Sequence, residues 1–194
     1  MQYFVILLSL ISFTPEIHVN PSVGYNQFIL QDSLRYGLVY QVSAEYWNRE
    51  FFGFGAKTGM ADMLRYLKDK GVAEILKNNW SEEWWYYFCP FLIGRYPLGK
   101  KVHILGKVGV GFTIFHSYCD TDSGCTVENN EGGPVRDTFQ PLLNIGIGIA
   151  FKLSEHFEMG FMQEQDFIFL KDVYEGGNVT AIAPSAHLFL GYIY

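Results

Sequence analysis

The residues best suited to covalent chemistry lie together in one short stretch, FHSYCDTDSGC. They are His116, Ser117, Asp120, Asp122 and Ser123. A hydrolase or acyltransferase that works through a serine nucleophile also needs a histidine base and a carboxylate that orients the histidine. In an extended strand, however, neighbouring side chains point to opposite faces, so His116 and Ser117 diverge. No motif of a lipid-modifying enzyme accompanies them, and we assign no catalytic residues.

The same stretch carries two of the three cysteines, Cys119 and Cys125, on either side of the polar sequence DTDSG. This spacing suits a small loop disulfide in an oxidising compartment, and the alternative is three free thiols. Alternating aspartates offer oxygen ligands to Ca²⁺, but the other ligands of an EF-hand loop are missing. The sequence also lacks metal-spaced Cys or His pairs, a phosphate-binding glycine loop and a nucleophile elbow. It therefore predicts neither a metal site nor a cofactor site.

The composition excludes other functional classes. Charged residues make up 18% of the 194 residues, against about 25% in typical soluble domains, and aromatic residues also reach 18%. The formal charge of −6 offers no basic surface for nucleic acid. No apolar run reaches the ~20 residues of a spanning helix, and the longest, YFVILLSLISF, has the length of a signal-peptide core. We predict a signal peptide or N-terminal extension over residues 1–15.

An alternation of large apolar with small or polar residues recurs along the rest of the chain and predicts eight strands. The clearest example is QPLLNIGIGIAFKLS, residues 140–154. Each strand has at least the ~9–11 residues that cross a bilayer at a tilt. We treat residues 16–194 as one domain. The predicted strands lie near Glu16–Tyr25, Leu34–Trp47, Phe51–Ala61, Trp84–Leu98, Lys101–Ser117, Thr138–Leu153, His156–Phe169 and Thr180–Tyr194.

The connections between these strands alternate in length. WNREF, PLGKK and LSEHF are tight turns, whereas NQFILQDS, residues 63–83, residues 119–137 and LKDVYEGGN are longer polar connections. Short turns on one side and long loops on the other are the plan of a bacterial outer-membrane barrel. The second long connection predicts a short amphipathic helix packed over the rim, with a partner-binding helix as the alternative. Its apolar stripe consists of Leu64, Leu67, Val72, Ile75 and Leu76.

Residue size decides which face of the strands meets lipid. The face with the aromatic, Leu, Ile and Val side chains would overfill the narrow interior of an eight-stranded barrel. The opposite face carries small residues such as Gly53, Gly109, Gly148 and Ser185. We therefore predict that the bulky face contacts lipid and the small face lines the lumen. The predicted lumen charges, five basic and four acidic, are Arg35, Glu45, Lys57, Arg95, Lys107, Lys152, Glu158, Glu164 and Asp166.

Aromatic residues at both ends of the predicted apolar belt indicate the two girdles of a membrane barrel. Near the loops lie Tyr25, Tyr36, Trp84, Tyr86 and Phe139, and near the turns lie Tyr46, Phe52, Tyr96 and Phe157. Four prolines within the predicted strands conflict with this account, because proline removes a hydrogen-bond donor from the sheet. They are Pro21, Pro90, Pro141 and Pro184.

On these features the chain resembles the small eight-stranded outer-membrane barrels of the OmpA, OmpX and OmpW type, especially those of Bacteroidetes. The resemblance also rests on the C-terminal HLFLGYIY. There Leu188, Leu190, Tyr192 and Tyr194 look like the signal that the outer-membrane assembly machinery recognises. The resemblance implies an all-β, antiparallel up-and-down transmembrane barrel in the bacterial outer membrane, with a short helix in one extracellular loop.

Such barrels host several functions, so the fold alone does not choose between them. The first hypothesis is a non-enzymatic barrel with a structural, adhesive or partner-anchoring role through its long loops. The second is a narrow OmpW-like channel for small or hydrophobic molecules, and the third is a lipid A-modifying enzyme. We expect no enzymatic activity. The expected partners are outer-membrane lipid and lipopolysaccharide, the barrel assembly machinery and another cell-envelope protein, but not nucleic acid.

Overall fold

A computed structural model describes residues 15–30, 33–63, 83–117, 138–171 and 178–194. Eight antiparallel strands form a closed barrel in which neighbours in sequence pair and β1 closes on β8, as predicted. Within the described residues, no helix is long and apolar enough to cross a membrane. The strands are β1 (Glu16–Leu30), β2 (Ser33–Arg49), β3 (Phe52–Met63), β4 (Glu83–Pro97), β5 (Val102–Ser117), β6 (Thr138–Lys152), β7 (Phe157–Lys171) and β8 (Asn178–Ile193).

Two predicted segments cannot be compared with this structure. The amphipathic helix falls on residues 64–82, which lie outside the described residues. The predicted signal peptide or extension also lies outside them, except for Pro15.

The first hairpin differs from the prediction. We expected β1 to end at Tyr25 and NQFILQDS to form a polar loop, but β1 continues to Leu30, which pairs with Ser33. Asn26 and Phe28 keep the inward side of the alternation and are buried. The prediction was wrong because the lumen also accepts polar side chains such as Asn26, so polar residues do not mark a loop here.

The register sets the stagger of the strands. Following the paired residues once around the barrel from Glu16 leads back to β1 at Asn26, ten residues further along the strand. Closing a sheet into a barrel requires such a stagger, which tilts the strands and stacks their inward side chains in layers. The path passes through Trp47, Gly53, Ile93, Lys107, Gly146, Glu164 and Ser185.

Each of the four prolines lies beside an interruption in the pairing. Pro90 is exposed on the outer wall, and the β4–β5 pairing skips it. Pro21 and Pro184 fall in the two gaps of the β1–β8 pairing, and Pro141 directly precedes the first pair of β6 with β7. Each proline thus coincides with a local gap in a ladder or with the end of one, and the pairing continues on the other side of both β1–β8 gaps and of the β4–β5 gap.

One end of the barrel, which we name the turn end, carries the chain termini and the tight turns. Tyr194 N donates to Ile17 O at 2.9 Å, and Ile193 N donates to the carbonyl O of the turn residue His156 at 2.9 Å. The opposite end, where residues 31–32, 64–82, 118–137 and 172–177 connect the strands, is named the loop end.

The outer wall of the barrel is apolar. Its most exposed aliphatic side chains include Val110 at 65%, Ile147 at 63% and Leu188 at 62% exposure. Leaving such side chains in water costs about 1.5–3 kcal/mol for each one fully exposed. The sum over the wall exceeds the net stability of a domain, so this wall faces lipid.

Aromatic side chains lie at both rims of the apolar wall. Tyr25 and Tyr36 stack at the loop end with ring centroids 5.8 Å apart, and Phe157 packs edge-on against Tyr192 at 5.1 Å near the turn end. The side chain of Trp84, a predicted girdle residue, lies outside the described residues. The arrangement matches the amphipathic rings that membrane proteins place at the headgroup level.

Candidate functional site: charged clusters in the lumen

Inward-facing residues of β3, β5, β6 and β7 meet in the middle of the lumen. We name them the central cluster: Lys57, Lys107, Asn144, Glu164 and Asp166. Lys57 and Lys107 each donate to one carboxylate oxygen of Glu164. Asn144 Nδ2 donates to Glu164 Oε2 at 3.1 Å and to Asp166 Oδ1 at 2.6 Å. Lys57 Nζ also lies 3.7 Å from Asp166 Oδ1, so two ammonium groups face two carboxylates.

The central cluster is almost completely shielded from water. Asn144 is 0% exposed, Lys57 and Glu164 are each 1% exposed, and Asp166 and Lys107 reach only 5% and 7%. Buried charges need partners, because desolvation makes an isolated one very unfavourable. Here each charged side chain is paired with other side chains of the barrel, so the cluster acts as a plug in the lumen.

Aromatic rings hold the two lysines from the side. Lys57 Nζ lies 5.1 Å from the centre of the Tyr87 ring, and Lys107 Nζ lies 4.9 Å from the centre of the Phe91 ring. The Tyr87 hydroxyl donates to Gln41 Oε1 at 2.7 Å, and Gln41 Nε2 donates in turn to Glu164 Oε1 at 3.4 Å. Cation–π contacts of this kind are stronger in a desolvated site than at a surface.

Apolar side chains cover the central cluster on both sides. Toward the loop end, Trp85 packs against Phe28 and Tyr87 with ring centroids 5.9 Å apart in each pair. We name this layer the apolar cap: Phe28, Val39, Ala61, Trp85, Tyr87, Cys89, Leu142, Ile168, Ala181 and Ala183. Toward the turn end lies the apolar band: Trp47, Phe91, Ile93, Leu105, Ala150, Met162 and Phe189.

A second group of charges, the turn-end cluster, lies beyond the apolar band: Glu16, His18, Arg95 and Glu158. His18 bridges two carboxylates, with Nδ1 2.8 Å from Glu158 Oε1 and Nε2 3.2 Å from Glu16 Oε2. An Arg95 N–H donates to Glu16 Oε2 at 3.1 Å, and its guanidinium lies 4.5 Å from the centre of the Trp47 ring. The Glu16 and Arg95 side chains are 24% and 10% exposed, whereas His18 and Glu158 are buried, so water reaches this cluster from the Glu16 side.

Small cavities adjoin both clusters. One of about 20 Å³ is lined by Asn20, Ser22, His187 and the central-cluster residues Lys107 and Glu164, among others. A second of about 10 Å³ lies within the turn-end cluster. Cavities of these sizes hold about one water molecule each and are too small for an organic ligand.

The remaining predicted lumen charges lie apart from the two clusters. Glu45 is buried between them and accepts a hydrogen bond from Trp47 Nε1 at 3.1 Å. Lys152 is half-buried at the turn end, where it pairs in register with Glu158. The side chain of Arg35 lies outside the described residues.

The predicted network of lumen charges does not include three members of these clusters. Glu16 and His18 point inward at the start of β1, and Asn144 is the polar inward residue of β6 that contacts two carboxylates. Their inward parity was the available signal. A parity pattern, however, does not show which polar side chains on different strands come within hydrogen-bond distance.

The other predicted sites give a mixed picture. Among the described residues, no group of three His, Cys, Asp or Glu side chains could hold a metal ion. Cys119, Cys125 and the side chains of His116 and Ser117 lie outside the described residues. The C-terminal residues of the predicted assembly signal are all exposed on the outer wall: Leu188, Leu190, Tyr192 and Tyr194.

No protein-family model matches this chain, and no curated protein sequence matches it. Solved structures do match its fold. Neisserial surface protein A is 9% identical with a TM-score of 0.66, covering 91% of this chain and 96% of its own. A major outer membrane protein of Thermus thermophilus is 14% identical with a TM-score of 0.63, covering 94% and 100%.

The attachment invasion locus protein Ail of Yersinia pestis is a third match, at 12% identity and a TM-score of 0.56, covering 94% of this chain and 100% of its own. At such identities the likeness concerns the fold alone. The chain therefore has the fold of the small bacterial outer-membrane β-barrels, and its apolar wall supports the predicted location in the bacterial outer membrane.

Proposed function

We propose that this protein is a non-conducting outer-membrane barrel with a structural, adhesive or partner-anchoring role, exerted at its loop end. The observation that supports the proposal best is the plugged lumen. The central cluster satisfies its charges internally and lies between the apolar cap and the apolar band. A barrel closed in this way serves as a rigid mount for the segments that connect its strands.

The plugged lumen favours a scaffold over a channel. A channel needs a wetted path lined by groups that bind a permeant weakly enough to release it. Here Lys57 and Lys107 are bound to Glu164 instead of facing such a path. Eight strands also leave an interior just wide enough for side chains.

The adhesive role is supported by the length of the loop-end segments and by one structural likeness. Residues 64–82 and 118–137 are far longer than the turns of the opposite end. Ail, whose name refers to attachment and invasion, has also been solved in complex with the heparin analogue sucrose octasulfate. Heparin is therefore a suitable first probe for adhesion by this chain.

Single-channel recording tests the non-conducting barrel. The full chain, refolded into a planar bilayer, should give no unitary current steps. A variant with Phe28→Ala, Lys57→Ala and Trp85→Ala widens both the apolar cap and the central cluster, and it should conduct if it keeps the heat-dependent gel mobility of a folded barrel. Regular steps from the unmodified chain would contradict the proposal and favour the channel.

Shortening the loop-end segments tests the adhesive role. Bacteria displaying the barrel with residues 64–82 or 118–137 replaced by short Gly-containing turns should keep a folded barrel, as judged from gel mobility. Their attachment to a heparin-coated surface should fall to that of cells without the protein. Replacing the turn at residues 98–101 with another tight turn is the matched control. Equal attachment by all variants would contradict an adhesive role of these segments.

A further inference from the structure

The outward face of β7 carries two amides between apolar side chains. Read at every second position from Phe157 to Phe169, the outward face of β7 is Phe, Met, Phe, Gln, Gln, Phe, Phe. Gln163 is the central residue of this row and is exposed. Gln165 is half-buried, and its Nε2 lies 3.4 Å from the backbone O of Asp166. The amides thus lie at mid-height on the lipid-facing wall.

The strand next to these glutamines carries small residues at the same level. Gln163 pairs in register with Ala186 of β8, and Gln165 pairs with Pro184. Leu188, which follows Ala186 toward the turn end of β8, is 62% exposed. Ile147 of β6, which pairs in register with Gln163, is 63% exposed. On this wall the exposed Gln163 amide therefore lies beside the small Ala186 and next to two exposed aliphatic side chains.

An amide in hydrocarbon is unfavourable unless another group binds it, because acyl chains neither donate nor accept hydrogen bonds. We propose that the wall formed by β7 and β8 is an interface with a second copy of this chain, in which the Gln163 amides of the two copies pair with each other.

The chemistry of the site favours a second copy over other occupants. Two barrels inserted in the same direction are related by a twofold axis along the membrane normal, so a residue on that axis meets its own equivalent at the same depth. A primary amide carries both a donor and an acceptor, so two of them complement each other. Small residues such as Ala186 and Pro184 let two membrane surfaces approach closely.

The opposite wall lacks this arrangement. Thr58 of β3 is exposed there, but its hydroxyl donates to Tyr87 O within the barrel at 3.0 Å. On β4, the residues at mid-height are Phe88, Pro90 and Leu92. The opposite wall therefore supplies matched control positions.

Cysteine cross-linking in lipid bilayers tests the interface. In a background with Cys119→Ser and Cys125→Ser, Ala186→Cys keeps the Gln163 amide beside it and should form an intermolecular disulfide under mild oxidation, whereas Leu92→Cys on the opposite wall should not. Heat-dependent gel mobility identifies the folded variants. Equal cross-linking at both positions, or none at Ala186→Cys in a folded barrel, would overturn the proposal.

Resonance energy transfer between copies of the full chain in vesicles gives an independent measurement. Gln163→Leu replaces the amide with an apolar side chain of similar size, and it should raise the protein-to-lipid ratio at half-maximal association by about tenfold. Thr58→Val should leave that ratio unchanged. A barrel that stays monomeric at every ratio, as expected if lipid alone covers the wall, would overturn the proposal, and so would a Gln163→Leu variant that associates like the unmodified chain.

Discussion

The two charged clusters in the lumen contain similar groups but differ in their access to water. In the central cluster Lys57 and Glu164 are each 1% exposed, with apolar layers on both sides. In the turn-end cluster the side chains of Glu16 and Arg95 are 24% and 10% exposed. The same pairing of charges should therefore have different consequences for stability at the two sites.

The difference follows from solvation. Water can replace a lost partner on the Glu16 and Arg95 side of the turn-end cluster, so a charge lost there leaves its partner solvated. In the central cluster the remaining charge stays buried without a partner. The resulting loss of unfolding free energy is larger than the net stabilisation that the intact pair provides. The central cluster thus specifies how the lumen closes, whereas the turn-end cluster mainly orders its mouth.

The largest expected effect comes from Glu164→Gln, which keeps the shape of the side chain but removes the charge that Lys57 and Lys107 share. We expect the free energy of unfolding to fall by about 3–5 kcal/mol, because two buried ammonium groups lose their main partner. Denaturant unfolding in lipid vesicles measures it. Glu158→Gln makes the same change in the buried part of the turn-end cluster, where it weakens the 2.8 Å hydrogen bond with His18, and should cost about 1.5–3 kcal/mol. Equal losses at both positions would remove the distinction between the clusters.

An intermediate effect is expected for Gly160→Ala, which tests how tightly the apolar band separates the clusters. A Cβ at Gly160 would lie 2.4 Å from Phe189 Cζ and 2.4 Å from Ile149 O. Overpacking of this kind costs about 1–3 kcal/mol in unfolding free energy. Gly106→Ala on the outer wall is the matched control, since a Cβ there meets nothing within 4 Å. If both variants unfold like the unmodified chain, the band is looser than described.

The smallest effect is expected for Glu16→Gln, which removes the partly exposed carboxylate that accepts from Arg95 at 3.1 Å. The loss should stay below about 1 kcal/mol. It should shrink further between about 0.05 M and about 0.5 M salt, because salt screens exposed charges. The same salt series applied to Glu164→Gln should leave its loss nearly unchanged. A salt-independent loss for Glu16→Gln would indicate that the turn end is also closed to water.

Much of the fold could be predicted from the sequence because one pattern, alternation, determines both the strands and their two faces. The sizes of Phe54, Leu92 and Ile147 on one side and of the glycines on the other decided which face meets lipid. The prediction failed at the first hairpin, where Asn26 was assigned to a loop although it is a buried residue of the lumen. In a barrel with a polar interior, polarity alone does not mark a loop.

The candidate site was only partly predictable. Inward parity indicated Lys57, Lys107 and Glu164, since a charge on the lipid face is strongly unfavourable. The division into a sealed and an open cluster depends on the ten-residue stagger from Glu16 to Asn26, which decides which strands place charges at the same level. That stagger is set by the register of all eight strand pairs together, and no single strand encodes it.

Thiol labelling of Cys89 tests the sealed lumen most directly. Cys89 is 0% exposed and belongs to the apolar cap, and it becomes the sole thiol in a chain with Cys119→Ser and Cys125→Ser. A small, charged thiol reagent should fail to label Cys89 in the folded barrel and should label it after heating. The reference chain carries Cys89→Ser and Glu16→Cys in the same Cys119→Ser and Cys125→Ser background, and there the same reagent should react at the turn end without heating. Labelling of Cys89 in the folded barrel as fast as that of Glu16→Cys would show a water-filled lumen and contradict the account.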